Sequence, residues 1–181
     1  MAYLIGIDEA GYGPFLGPLC IGATLWQIPD AQHTTEFDLY DELQDCVTTT
    51  LKDKSRVMVG DSKLAYKPKS GLQNLERAVH TFTNLLSPQA DQANTITCPD
   101  FQSWMKTIGV QWQAWSAASP WFENYNCELP VDADESIILD LHTNLETTLS
   151  AQGIKFLDAK VMCIPAARFN YLLNSFPTKG A

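Results

Sequence analysis

Apolar positions along the chain follow two different periods, and the switches between them mark out the predicted elements. Ala2 to Asp8 carries a run of Tyr3, Leu4, Ile5 and Ile7 that stops at the turn-rich Gly11-Tyr12-Gly13-Pro14, the pattern of a β-strand. Leu19 to Gln27 gives a second apolar strand. Their short connection predicts an antiparallel pair, with the first strand buried centrally on both faces. Thr35 to Val47 then reads as a short helix with Phe37, Leu39, Tyr40, Leu43 and Cys46 on its apolar side. Arg56 to Val59 is a brief extended piece leading into Gly60-Asp61-Ser62-Lys63.

Ser70 is a plausible N-cap for a helix reaching about Leu86, with Leu72, Leu75, Val79, Phe82 and Leu86 on one side. A further helix begins near Pro99, with Asp100 in its first turn and Phe101, Trp104 and Met105 turned inward. Val110 to Trp121 reads as a half-buried strand through the alternation around Trp112 and Trp115. Asp134 to Gln152 carries the clearest helical stripe, Ile138, Leu141, Leu145 and Leu149, with acids in its first turn and Gly153 as a stop. The strand Ile154 to Asp158, a helix Ala166 to Leu173 and an irregular Pro177 to Ala181 complete the chain.

This order predicts an α/β or α+β layer architecture, a mixed β-sheet flanked by helices. The long helix would be the crossover that lays the Ile154 strand parallel to the first, right-handed by rule. Ligands of such sheets gather at the carboxyl ends of strands, which would bring Asp8, Glu9 and Asp158 together.

Length and composition narrow the class. A chain of 181 residues with 45% hydrophobic content supports one buried core, so residues 1–181 are expected to form a single domain. Cys20, Cys46, Cys98, Cys127 and Cys163 show no metal or redox spacing and read as small apolar residues in a reducing compartment. The N-terminus lacks the basic region of a signal peptide, and Pro14 to Ile28 is too short and too rich in Pro and Gly to span a membrane. A cytoplasmic protein without a membrane partner is the expectation. The net charge of −9 argues against broad attraction to nucleic acid, leaving room for local contacts in which bound divalent cations offset the carboxylates.

The chemistry centres on Asp8 and Glu9. A carboxylate at the end of a buried strand is costly unless something pairs with it. Clustered carboxylates are what Mg²⁺ uses, together with substrate phosphate oxygens; the competing reading is a surface turn with a helix-capping or lysine-paired acid. On an ideal strand the two side chains point to opposite faces, and a bend at Gly11 and Gly13 is needed to bring them to one spot.

The string Gly6-Ile7-Asp8-Glu9-Ala10-Gly11-Tyr12-Gly13-Pro14-Phe15-Leu16-Gly17-Pro18 closely resembles the opening motif of type 2 ribonucleases H, the ribonuclease HII and HIII family. Asp61-Ser62-Lys63-Leu64 resembles the DSKKL element that follows in that family, and Phe156-Leu157-Asp158-Ala159, followed by Arg168 and Phe169, is similar to its archaeal-type members. The resemblance implies a ribonuclease H-like fold and hydrolysis of the RNA strand of RNA/DNA hybrids, or at ribonucleotides embedded in duplex DNA. It implies two ions, Mg²⁺ or Mn²⁺, about 4 Å apart, with Asp8, Glu9 and Asp158 as catalytic metal ligands. Ser62 and Lys63 would steady a substrate phosphate, and the turn Gly11-Tyr12-Gly13 would read the 2′-hydroxyls that distinguish RNA from DNA.

Two departures stand beside the resemblance. Tyr12 occupies a position where the family commonly has arginine, so the charge of that residue is missing. The family's fourth metal-binding aspartate lies on a helix beyond the third, and the chain is expected to lack that C-terminal helical part; Asp140, on the crossover helix, reads as a solvated residue. His33, His80 and His142 read as surface or capping residues, the tryptophans as packing, and residues 88–132 match no motif of the family. The alternative function is a catalytically impaired ribonuclease H-like binding or scaffolding domain. A phosphotransferase of the actin and sugar-kinase superfamily needs two such domains, more than this length provides.

Overall fold

The computed structural model describes residues 1–11, 17–30, 37–86, 96–110 and 122–175. Within them the order is β1 (Ala2–Ala10), β2 (Leu19–Ile28), α1 (Leu39–Glu42), β3 (Val47–Thr48), β4 (Val57–Met58), α2 (Ser62–Ala65), α3 (Gln73–Thr83, continued by a 3₁₀ turn Asn84–Leu86), α4 (Phe101–Thr107), α5 (Glu135–Gln152), β5 (Lys155–Ile164) and α6 (Ala166–Ser175). The architecture is mixed α/β. A three-stranded antiparallel sheet has the order β1-β2-β5, and β3 and β4 form a separate parallel pair.

The hairpin of β1 and β2 forms in the predicted register sense, from Ala2 opposite Ile28 to Ala10 opposite Cys20. β5 pairs antiparallel with the other edge of β2 and therefore runs in the same direction as β1, with β2 between them. This arrangement corrects the expected place of β1. It is an edge strand among the described residues, and Tyr3, Ile5 and Ile7 are 62%, 63% and 71% exposed. The reason is topological: helices cover one face of the sheet, and β5 took the far edge of β2 rather than the flank of β1.

α5 is the element that local rules specify best. Asp134 is its N-cap, with Oδ1 accepting the Ser136 N–H at 2.9 Å, and Gly153 ends it at φ +66°, a left-handed conformation that glycine adopts without strain. Its stripe of Ile138, Leu141, Leu145 and Leu149 is buried as predicted. Leu141, Leu145 and Leu149 pack with Trp26, Ile28 and Phe156 of the sheet and with Leu43, Val47 and Val57. Trp26, Phe82 and Phe156 form an aromatic triangle with centroids 4.7 to 5.9 Å apart. A smaller cluster of Met105, Ile108 and Val110 packs against Val161 and Cys163 at the other end of β5.

α3 keeps part of its predicted face, with Phe82 and Leu86 packed on the core. It starts at Gln73 with Leu72 as N-cap and no side-chain cap, so Ser70 does not cap it. Leu72 and Val79 are exposed, while Glu76, His80 and Thr83 are buried. A polar row at i, i+4 and i+7 thus goes inward beside the apolar one. Helical structure around Tyr40 is confined to Leu39–Glu42, with Phe37, Leu39, Leu43 and Cys46 packed on the core. Asp100 lies just outside α4 as its N-cap. The tryptophan-rich segment beyond Val110, His33 and Pro177 to Ala181 lie outside the described residues. Among the described residues, no helix is long and apolar enough to cross a membrane.

Candidate functional site

β1 carries the acidic pair two residues before Gly11. The strand continues to Ala10, so Asp8 and Glu9 keep the alternation of an extended chain instead of bending to one side. Asp8 lies opposite Gly22 on the face that holds Thr24 and Trp26, the face toward the helices. Glu9 lies opposite Ile21 on the outer face. Both are exposed, and Asp8 Oδ1 accepts the Glu9 N–H at 2.9 Å. The ion pairs among the described residues involve neither. Gly11 then turns the chain at φ +84°, where a Cβ would stand 2.4 Å from the Pro18 carbonyl oxygen, so only glycine fits this close approach. Tyr12 and Gly13 lie outside the described residues.

Asp158 sits inside β5 rather than at its end, because the alternating Lys160, Val161, Met162, Cys163 and Ile164 keep the chain extended to Ile164. It lies opposite Leu25, on the outer face, beside a bulge between Leu25 and Trp26. Its Oδ1 accepts the Ala159 N–H at 2.9 Å and meets Lys160 Nζ at 3.0 Å, two residues along the same face. Asp8 and Asp158 therefore occupy opposite faces of the sheet, in rows three residues apart and two strand spacings across, roughly 14 Å between backbones. Carboxylates ligating Mg²⁺ stand about 2 Å from the ion, so these two do not share one in this arrangement. Glu9 and Asp158 share a face but lie four rows apart along β2. Among the described residues no group of three or more His, Cys, Asp and Glu side chains is placed to hold a metal.

The second motif forms a capped turn. Asp61 is the N-cap of α2, its Oδ1 accepting the Lys63 N–H at 2.9 Å, and Ser62 and Lys63 open the short helix at the surface. Val59, two residues before Asp61, lines the same cleft as Asp8. That cleft, of about 630 Å³, opens under the sheet between β1 and β2 and the helices, with Leu4, Trp26, Leu43, Phe82, Trp104 and Phe156 in its walls. Asp8 is the one carboxylate residue among its described lining residues. An apolar cleft of this size suits an apolar group better than a phosphate.

Three features escaped the sequence reading. Glu76 is buried, yet accepts N–H groups from Val131, Asp132 and Ala133 at 2.6, 2.8 and 2.9 Å, while Asp132 Oδ2 accepts the Leu72 N–H at 2.7 Å. Nothing in the sequence signals this clamp, which joins segments 55 residues apart. The partnership of Asp158 with Lys160 was legible as an i, i+2 pair on one strand face, once the strand is extended past Asp158. Cys20 and Cys163 face each other with sulfurs 3.7 Å apart, a pairing that depends on register across 143 residues. Cys46 and Cys98 are buried as expected of small apolar residues, whereas Cys20, Cys127 and Cys163 are only half-buried. Comparison with models of protein families, with curated proteins and with solved structures finds no match to this chain.

Proposed function

We propose that this protein is a nuclease of the type 2 ribonuclease H kind, a metal-dependent endoribonuclease for RNA/DNA hybrids or for ribonucleotides embedded in duplex DNA. The support is the Gly6 to Pro18 motif together with one observation, the place of Asp8. Its carboxylate stands exposed at the cleft-side end of β1, next to the glycine turn and without a cationic partner among the described residues. A bound Mg²⁺ or Mn²⁺ would supply charge stabilisation at a phosphate there. On this reading Asp8 is the principal ligand, Glu9 a second only if the turn bends, and Asp158 belongs with Lys160 on the outer face. On the same reading Ser62 and Lys63 would steady a substrate phosphate, Lys63 as a point charge.

A second reading draws on the separation of the three carboxylates: a ribonuclease H-like binding or scaffolding domain that does not hydrolyse. The two are separated by incubating the full chain with Mg²⁺ or Mn²⁺ and a labelled RNA/DNA hybrid, or a duplex with a single ribonucleotide. The nuclease reading expects cleavage that falls at least a hundredfold in Asp8→Asn and changes less than about threefold in Asp158→Asn, in folded variants. Cleavage indifferent to Asp8→Asn removes Asp8 from the site. A substrate left intact by a wild-type chain that binds a protein partner favours the second reading.

A further inference from the structure

Cys20 begins the second residue of β2 and Cys163 is the last but one of β5, and the antiparallel register sets them directly opposite each other. Opposed residues of an antiparallel pair have Cα atoms about 4.5–5.5 Å apart, inside the 4.4–6.8 Å span that a disulfide bridges. The side chains share the helix-facing side of the sheet, and their sulfurs stand 3.7 Å apart. Closing to the bonded distance of about 2.05 Å takes a small side-chain rotation rather than a backbone shift. We propose that Cys20 and Cys163 are a reversible redox pair, oxidised by a hydroperoxide to a cross-strand disulfide and reopened by a dithiol.

The two thiols share one sulfur–sulfur contact, and the Cys20 thiolate is taken as the first to react. The sulfur–sulfur contact with Cys163 lowers the Cys20 thiol to about 7 against the opposing effect of burial, while the same contact and burial push the Cys163 thiol up. With its thiol lowered, Cys20 serves as the nucleophile and Cys163 as the resolving thiol. The Cys20 thiolate attacks one oxygen of the hydroperoxide. An S–O bond forms, the O–O bond breaks, and the departing oxygen takes a proton and leaves as water or an alcohol. The Cys163 sulfur then attacks the resulting Cys20 sulfenic acid, forming the S–S bond and breaking the S–O bond, its proton leaving with the hydroxyl as water. Two thiols have lost two electrons and two protons, and the peroxide has been reduced by the same two electrons. A dithiol reverses the step by exchange, becoming a disulfide itself.

The remaining thiols explain why the chemistry is selective. Cys46 and Cys98 are 1% and 4% exposed, and burial raises the Cys46 thiol. Cys127 is half-buried and accepts the Tyr125 hydroxyl at 3.5 Å. The Cys20–Cys163 row contains Ala10, beside Glu9 and the Gly11 turn, so a closed disulfide ties the far ends of β2 and β5 just beyond the acidic pair.

The test treats the reduced full chain with stoichiometric hydrogen peroxide at pH 7, alkylates the remaining thiols and maps the peptides by mass spectrometry. The expected product links the peptides of Cys20 and Cys163, lighter by two hydrogen atoms, with Cys46, Cys98 and Cys127 recovered alkylated and the link lost on adding dithiothreitol. In Cys163→Ser, dimedone labels Cys20 as its sulfenic acid; in Cys20→Ser, Cys163 stays reduced. Full alkylation of Cys20 and Cys163 after peroxide, or a link through Cys127 instead, overturns the pairing in the wild-type chain itself, whatever the variants do.

Discussion

Glu76 illustrates how a residue acquires a role that its neighbours in the chain do not announce. A buried carboxylate is costly without partners, and here three backbone N–H groups of the 131–133 segment supply them. Glu76→Gln exchanges one acceptor oxygen for a donor amide that cannot receive an N–H, leaving at least one buried donor unpaired. A loss of about 2 kcal/mol of stability is expected, read as a lower midpoint in urea unfolding at unchanged slope. Leu72, whose N–H is held by Asp132 at the same junction, would gain hydrogen-exchange rate along with residues 131–133. Asp158 shows the converse. Its partner Lys160 lies two residues away at 3.0 Å, both are exposed enough for water to screen the pair, and its loss should matter little to stability.

At the scale of elements, agreement between local signal and outcome tracks how much of an element is fixed by its own residues. α5 combines an acidic N-cap, an unbroken apolar stripe and a glycine stop, and the tertiary structure accepted all three. Leu145 is fully buried in that stripe, in the cluster shared with Trp26 and Phe156. Leu145→Ala is therefore expected to cost about 2–5 kcal/mol through lost contacts and the cavity left behind, measurable by the same urea unfolding. α3 agreed only in part, with Phe82 and Leu86 docked on the core as predicted. Leu72 and Val79 face outward or into the cleft, because a polar row through Glu76 and His80 docks against the 131–133 segment and α4. β1 and β2 paired as predicted because they are neighbours in the chain, yet which edge of β2 would receive β5 was a non-local choice.

For the whole molecule, the junction of the two apolar clusters sets a pH dependence. His80 is 3% exposed, packed edge-on to Trp104 at 6.2 Å, and burial lowers its pKa despite the charge of Glu76. The unfolded chain protonates this histidine near its usual value of about 6.5, while the folded chain resists until a lower pH. The unfolded state then binds the additional proton, so stability is full above that range and falls as pH drops through it. Urea midpoints measured from pH 8 to 5 should decline accordingly, and the decline should flatten in His80→Gln; an unaltered slope in that variant would assign the effect to another group.

What the residues determined unaided was everything carried by short-range physics: the alternation of β1 and β2, the capped stripe of α5, the mixed α/β class, and the glycine turn beside Asp8. Stereochemistry and capping act within a few residues, so a single strand of text contains them. The tertiary structure alone decided that β1 is an edge, that Asp8 faces the cleft while Asp158 faces away, that Glu76 is a clamp, and that Cys20 meets Cys163. Those outcomes depend on strand order and register, and a shift of one residue in register transfers every side chain of a strand to the opposite face. The alternative registers differ only in contacts made across the sheet, between residues remote from one another in the chain.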